Sequence, residues 1–281
     1  MNWRLKALAF QVLDKLPGGE LLYRLAQRHV TRNHLFEVTD GYLRLHQFHI
    51  DQYRSVHPGR AMEFGAGRHF ISPLLLSHAG ATEVLVFDVQ PLTSPLQINH
   101  TIRQLRDRFP GDWPEIADLA ELESRYRIRY LAPGDARATG LEAGSVQFFC
   151  STSTLEHIPP DDIRRILSEC GRIAAPGARI SHIIDYADHF KYSDQSVPLF
   201  NFYRYSDAAW RPYNPSNHYQ NRLRHGDFVR MFAEAGLEPV EIRSGSVPPA
   251  ALAGIPLAPR FRDRPQEELL TSIGYFALRK P

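Results

Sequence analysis

Residues 60–70 read RAMEFGAGRHF, a short apolar run that ends in Glu-Phe-Gly-Ala-Gly and is followed by a helical pattern. Gly65 and Gly67 therefore stand where a predicted strand turns into a helix. Glycine at such a turn lets the backbone bend sharply and lets the N–H groups of the helix face a ligand closely. A Gly-x-Gly turn alone is a weak indication of a ligand site, because many strand–helix turns use glycine for geometry only.

The second predicted strand makes the ligand more specific. It reads EVLVFDV and places Asp88 21 residues after Gly67, the spacing at which a carboxylate accepts hydrogen bonds from a ribose. A dinucleotide does not suit the loop, because Phe70 stands where its third glycine is expected and Glu63 would repel a pyrophosphate. A carboxylate beside the loop favours a cationic nucleoside. S-adenosylmethionine has a ribose, an ammonium and a sulfonium, and we predict it as the cofactor.

Strands alternate with helices over residues 58–281, and seven strands are predicted. The pattern predicts an α/β fold with a doubly wound, mostly parallel seven-stranded sheet of the Rossmann-like kind. The last two strands, EPVEIRS and SIGYFALRK, have no clear helical crossover between them, which predicts an antiparallel edge. The helix within PPDDIRRILSECGRIAAPG is expected to end at Gly177.

Two regions lie outside this alternation. Residues 1–57 carry three helical runs and are predicted to form an N-terminal helical cap, although the basic character of residues 1–32 leaves contact with a membrane surface as an alternative. Residues 186–226 are rich in Tyr, Asn, His and Arg and are too long for a plain connection. We predict that they form an acceptor-binding insertion after the fifth strand, with acceptor contacts from Tyr203, His218 and Arg222.

Three stretches in combination resemble the class I S-adenosylmethionine-dependent methyltransferases: EFGAG, FDV and GDARATGLEAGSVQFFCSTSTLEHI. The resemblance covers residues 58–186 and resumes at HGDFVRMFAEAGL. It implies that the residues around the cofactor are Glu63, Gly65, Gly67, Asp88, Asp135, Ala136, Ser151 and Thr152. Glu63, Gly65 and Gly67 would border its methionine and ribose, and Asp88 would hold the ribose hydroxyls. Asp135 and Ala136 would lie at the adenine, and Ser151 and Thr152 beside the sulfonium.

Catalytic candidates follow the fourth and fifth strands, because sites in open α/β sheets lie beyond the carboxyl ends of the strands. Methyl transfer needs a base only when the acceptor must lose a proton. The candidates are His157, Asp185 and His189, although the first two also suit a helix or turn cap. His46 and His49 are interpreted as core or exposed histidines rather than ligands, and no metal site is predicted.

The favoured function is methyl transfer to a small-molecule or glycan acceptor, preferably at oxygen. Two alternatives stay open: non-methyl chemistry on the same cofactor, such as an intramolecular cyclisation, and a non-catalytic cofactor-binding scaffold. RNA or other nucleic-acid binding is disfavoured, because 33 Lys and Arg against 31 Asp and Glu leave a net charge of only +2. Two cysteines and the lack of a signal-peptide core predict a reducing compartment, the cytoplasm.

Overall fold

The computed structural model describes residues 2–19, 21–22, 35–56 and 59–281. Seven strands form one sheet in this part of the chain, and their bounds are β1 Arg60–Phe64, β2 Glu83–Phe87, β3 Ile128–Leu131, β4 Val146–Thr152, β5 Ala174–Asp185, β6 Glu238–Ser246 and β7 Thr271–Arg279. Their order is β3-β2-β1-β4-β5-β7-β6. Only β7 runs against the others, since it pairs antiparallel with both β5 and β6. The predicted fold and its antiparallel edge are confirmed.

Ten α-helices are described around the sheet: α1 Trp3–Lys15, α2 Asp40–Arg54, α3 Ile71–His78, α4 Pro95–Arg106, α5 Glu121–Tyr126, α6 Pro160–Ile173, α7 Asp207–Trp210, α8 His225–Glu234, α9 Pro259–Arg262 and α10 Gln266–Leu270. Most of the second predicted helical run, around residues 21–30, lies outside the described residues. None of the described helices combines the length and the apolar character needed to cross a bilayer.

The end of α6 corrects one predicted boundary. The helix ends at Ile173 rather than at Gly177, because Ala174 already has extended dihedrals and pairs with Val146 of β4. Pro176 explains this early end, since the residue before a proline is driven out of the helical region. Four residues that the sequence assigns to a helix therefore begin strand β5.

Apolar side chains cover both faces of the sheet, as expected where helices flank parallel strands. Met62 and Phe64 of β1 join α6 and α8 in one core cluster. Ala61, which directly precedes Met62 in sequence, belongs to a second cluster with α3 and α4. Successive side chains of β1 therefore point to opposite faces of the sheet, as in any strand.

Helices α1 and α2 of the predicted cap pack against two different parts of the molecule. Trp3 of α1 packs against the segment after β5, with ring centroids 5.2 Å from Phe190 and 5.0 Å from Tyr213. Helix α2 instead lies on the sheet, where Tyr53 meets Phe148 of β4 edge-on at 5.4 Å. The division of the chain at residue 57 stays a prediction, and so does membrane contact through residues 1–32.

Candidate functional site

The turn after β1 requires glycine at both positions. Gly65 and Gly67 have φ angles of +75° and +64°, in the left-handed region that other residues avoid. A Cβ atom at Gly65 would collide with the side chain of Thr154, whose Oγ1 would lie 2.7 Å away. A Cβ atom at Gly67 would meet nothing within 4 Å, because this glycine faces open space. The turn therefore brings bare backbone to the edge of a cavity.

That cavity has a volume of about 410 Å³ and lies beyond the carboxyl ends of β1, β2 and β4. Five predicted cofactor residues line it: Gly65, Gly67, Asp88, Asp135 and Ala136. Its walls also include the apolar side chains of Phe87, Leu92 and Ile158. A pocket of this size, apolar with a few converging polar groups, suits a nucleoside-sized ligand.

A second cavity of about 30 Å³ lies behind the glycine turn and shares Gly65 with the first. Glu63 and Thr152 line it from the sheet, while Tyr42 and His46 line it from α2. Glu63 is buried, and its Oε2 atom has no hydrogen-bond partner among the described residues. A buried carboxylate oxygen without a hydrogen-bond partner is a fitting partner for a small cationic group.

The two acids of this region share one electrostatic environment. Burial and the nearby Asp88 raise the pKa of Glu63 to about 8. Burial likewise raises the pKa of Asp88 to about 7, against the effect of Gly67, whose N–H donates to Asp88 Oδ2 over 3.1 Å. Each carboxylate would be stabilised by a ligand that supplies positive charge or hydroxyl donors.

The three predicted catalytic residues meet at the carboxyl ends of β4 and β5. The rings of His157 and His189 are 4.6 Å apart, and His189 Nε2 lies 3.4 Å from Asp185 Oδ2. Tyr192 donates its hydroxyl to the same Asp185 oxygen. Sequence reasoning missed Glu156, which is buried next to His157 and His189 and accepts from the Asp185 N–H over 3.3 Å. Its position in the Leu-Glu-His run is the signal that was available.

The pKa values of the four residues in this group shift in different directions. Burial raises the pKa of Asp185, but the contacts from His189 and Tyr192 outweigh it and lower the pKa overall. Burial opposes protonation of His189, but Asp185 and Glu156 together raise its pKa. Burial raises the pKa of Glu156 to about 8. Desolvation of its ring nitrogens and the adjacent His189 lower the pKa of His157 to about 4, although part of the ring is exposed.

No protein-family profile and no curated protein sequence matches the chain. Solved structures do match. Geranyl diphosphate C-methyltransferase from Streptomyces coelicolor A3(2) is 14% identical over 85% of this chain and 79% of its own, with a TM-score of 0.50. The [4+2]-cyclase SpnF is 12% identical over 85% and 81%, with a TM-score of 0.51. Haemonchus contortus phosphoethanolamine N-methyltransferase 2 is 13% identical over 87% and 54%, with a TM-score of 0.50.

The chain has the class I methyltransferase fold. One predicted cofactor residue, Ser151, does not lie at either cavity. Ser151 is fully buried and its hydroxyl lies 2.8 Å from His182 Nδ1, so it does not reach the cavities. Thr152 lines the small cavity, and its hydroxyl lies 3.0 Å from His49 Nε2. Ser153 and Thr154 line the large cavity instead, since they follow the end of β4.

The predicted acceptor contacts need a larger correction. Tyr203 is completely buried and donates its hydroxyl to the Leu269 carbonyl over 2.9 Å. Arg222 is 4% exposed, donates to the Tyr205 carbonyl over 2.8 Å and pairs with Asp207. Both side chains hold the segment together and are not available to an acceptor.

His218 is partly buried and packs against both its own segment and Phe10 of α1. Its ring centroid is 4.7 Å from that of Phe190, and burial lowers its pKa to about 3. It lines neither of the two cavities, although its Nε2 atom has no hydrogen-bond partner among the described residues. Of the three predicted acceptor residues, His218 alone therefore stays a prediction.

Proposed function

We propose that the protein binds S-adenosylmethionine and transfers its methyl group to a small-molecule acceptor, preferably at oxygen. One observation carries the cofactor assignment: two carboxylates flank a glycine turn at a nucleoside-sized cavity, that of Asp88 and that of Glu63, whose Oε2 has no hydrogen-bond partner among the described residues. Glu63 suits the ammonium group, and Asp88 suits the ribose hydroxyls. Solved structures of this fold with bound S-adenosylhomocysteine or sinefungin support the same assignment.

The residues of the chain divide the work between binding and positioning. The glycine turn and Asp88 hold the nucleoside, and Asp135 and Ala136 border the part of the cavity that suits the adenine. When bound, the cofactor supplies a methyl group on a cationic sulfur that departs as a neutral thioether. Most of the rate enhancement would come from holding an acceptor in line with that group.

The preference for an oxygen acceptor rests on the polar group after β4 and β5. His157 lines the cofactor cavity and also contacts His189, which in turn contacts Asp185. The polar group therefore lies next to the cofactor cavity. An acceptor that enters here meets groups able to orient a hydroxyl and to take its proton. An acceptor that is already nucleophilic would have no need for such a group.

Calorimetric titration with S-adenosylhomocysteine tests the cofactor assignment. Asp88→Ala should remove charge-assisted ribose hydrogen bonds, each contributing roughly 1.5–3 kcal/mol, and weaken binding at least tenfold. Asp51→Ala, at an exposed acid on α2, is the matched control and should bind as the unaltered protein does. Tighter binding of NADH than of S-adenosylhomocysteine would overturn the proposal.

Mass spectrometry of incubations with S-adenosylmethionine and candidate acceptors tests the reaction class. Methyl transfer gives an acceptor that is heavier by one methylene unit, together with S-adenosylhomocysteine. Cofactor products other than S-adenosylhomocysteine, with no methylated acceptor, would instead support non-methyl chemistry such as an intramolecular cyclisation. Binding without any turnover across hydroxylated, amine and thiol acceptors would support a scaffold.

A further inference from the structure

Three side chains with metal-binding atoms converge beside the cofactor cavity. Glu156 and His157 lie on a short 3₁₀ helix after β4, and His189 begins another after β5. One potential ligand atom from each of the three lies within 4.8 Å of those of the other two. We propose that Glu156, His157 and His189 bind a divalent transition-metal ion.

Two of the three side chains have a buried polar atom without a partner. Glu156 is 2% exposed, and while its Oε1 accepts from the Asp185 N–H, its Oε2 has no hydrogen-bond partner within the described ranges. His189 Nε2 is likewise buried and makes no hydrogen bond of good geometry, although Asp185 Oδ2 lies 3.4 Å away. Buried polar atoms are rarely left unpaired, because desolvation then goes uncompensated. A cation between these two atoms would pair both.

The third ligand is already oriented for metal binding. His157 Nδ1 lies 2.8 Å from the Tyr219 carbonyl oxygen, so its proton is donated there and the lone pair of Nε2 is free. Metal-bound histidines commonly have this arrangement, in which a carbonyl or carboxylate fixes the tautomer from outside. The Tyr219 carbonyl is thus the outer partner of His157.

Asp185 completes the surroundings of the site. Its Oδ2 lies 3.4 Å from His189 Nε2, close to the separation of about 3.3 Å between neighbouring ligand atoms around a tetrahedral ion with bonds of about 2.0 Å. Its other oxygen accepts from the Ala187 N–H over 2.8 Å, which holds the carboxylate in place. Asp185 is therefore positioned to be a fourth ligand or to accept a proton from a molecule on the ion.

The donor set indicates which ions to expect. Two imidazoles and one carboxylate suit Zn²⁺ and its neighbours Co²⁺ and Ni²⁺, whereas Mg²⁺ and Ca²⁺ prefer oxygen ligands alone. Three protein ligands leave at least one coordination position open. This proposal replaces the sequence-based prediction that the chain has no metal site.

The use of the open position rests on the proposed function. An acceptor hydroxyl bound there would lose its proton more readily, because a divalent ion lowers the pKa of a coordinated oxygen. The proton would pass to Asp185 or to water, the oxygen would bond to the methyl carbon, and the carbon–sulfur bond would break with its electron pair on sulfur. His157 would place that oxygen next to the cofactor cavity, which it also lines.

Titration of the metal-free, full-length protein with Zn²⁺ and with Co²⁺ tests the site directly. We expect one ion per chain by calorimetry and visible absorption of the Co²⁺ form typical of low coordination number. His189→Gln and Glu156→Gln should each weaken that binding at least tenfold. His225→Gln, at a partly buried histidine on α8 outside the ligand set, is the matched control and should retain it.

Two further measurements make each outcome decisive. Circular dichroism of every variant shows whether it is folded. A variant that is misfolded is replaced by His157→Gln, whose side chain is partly exposed. S-adenosylhomocysteine binding on the same samples separates this proposal from the proposed function. Retained S-adenosylhomocysteine binding with no stoichiometric metal binding, or with unchanged metal affinity in a folded ligand variant, would overturn the metal site alone.

Discussion

At the scale of single residues, Glu63 and Asp88 connect cofactor binding to protons. Both are buried acids whose pKa values are raised, to about 8 and about 7, so the free protein holds protons on this pair near neutral pH. A ligand with an ammonium group and hydroxyl donors favours the charged carboxylates. Binding must then displace those protons, and the two acids titrate as a coupled pair.

The first prediction is that the affinity for S-adenosylhomocysteine rises with pH. Between pH 6 and pH 8 the carboxyl groups of Glu63 and Asp88 lose protons in the unliganded protein. Binding then requires less free energy for deprotonation and should tighten at least tenfold. The window ends near pH 8, because an α-amino group itself deprotonates at about pH 7.7–8.0. Calorimetry in two buffers of different ionisation enthalpy measures the protons released.

Glu63→Gln is the control for this linkage. It should bind more weakly at pH 8 and lose the part of the pH dependence that comes from Glu63, because the amide does not titrate, while Asp88 still does. Asp51→Ala on α2 should retain the full slope. A flat profile for the unaltered protein would show that these acids are already ionised before the cofactor arrives.

The second prediction concerns the glycine turn. Gly65→Ala combines an unfavourable positive φ, costing about 1–2 kcal/mol, with a collision against Thr154, and should weaken S-adenosylhomocysteine binding at least tenfold. Gly67→Ala has the strain without the collision and should lower thermal stability less than Gly65→Ala does. Thr154→Ala in the Gly65→Ala background should recover part of the loss, and no recovery would mean that strain alone acts.

At the scale of elements, the sequence predicts the strands, the glycine turn and the position of Asp88 directly after β2, while the ribose contact of Asp88 stays a prediction. These depend on local patterns: period-two burial, a strand–helix turn and a fixed spacing to the next strand. The hydrogen-bond partners and cavity contacts of two histidines on α2 were not predicted. His46 and His49 lie on its buried face and read as core histidines, whereas His46 lines the small cavity and His49 joins two strands. Only the three-dimensional packing shows which polar groups they meet.

The third prediction follows from that contact. His49 lies 2.7 Å from the Ser181 hydroxyl on β5 and 3.0 Å from the Thr152 hydroxyl on β4. His49→Ala would leave both hydroxyls unpaired beside a new cavity and should lower the free energy of unfolding by about 2–4 kcal/mol. Urea denaturation measures it, and Arg44→Ala, at an exposed position of α2, should change stability by less than about 0.5 kcal/mol.

The pH dependence of this contribution has a definite sign. Burial lowers the pKa of His49 well below its ordinary value, so the folded protein keeps it neutral. Its contribution is therefore present above the unfolded pKa of about 6.5 and declines as the pH falls below that value. A stability difference between His49→Ala and the unaltered protein that grows on acidification would contradict this assignment.

At the scale of the whole molecule, the sequence established the sheet but misread the segment after β5. Aromatic and arginine side chains in a long irregular stretch suggested ligand contacts. In the structure Tyr203 and Arg224 are fully buried together, with the guanidinium 5.1 Å from the ring centroid, and Arg224 donates to the Tyr186 carbonyl over 3.0 Å. A guanidinium that satisfies carbonyls inside an aromatic cluster has the same sequence pattern as one that binds a substrate.

The last prediction is that α1 stabilises the fold and does not contribute to cofactor binding. Trp3 is 8% exposed and packs among the rings of Phe190, Trp210 and Tyr213, so α1 closes the aromatic cluster after β5 rather than the cofactor cavity. Trp3→Ala should lower the free energy of unfolding by about 3–5 kcal/mol. Well below its melting temperature it should still bind S-adenosylhomocysteine within about a factor of three, a difference of roughly 0.6 kcal/mol.

Leu8→Ala on the same helix is the matched control for Trp3→Ala. Leu8 is 47% exposed, so its truncation removes little buried surface and should leave stability within about 0.5 kcal/mol. Denaturant titration and calorimetry on the two variants separate support of the fold from closure of the site. If Trp3→Ala stays folded and yet loses S-adenosylhomocysteine binding, α1 transmits its packing to the cofactor cavity, and residues 186–226 act as a cofactor lid.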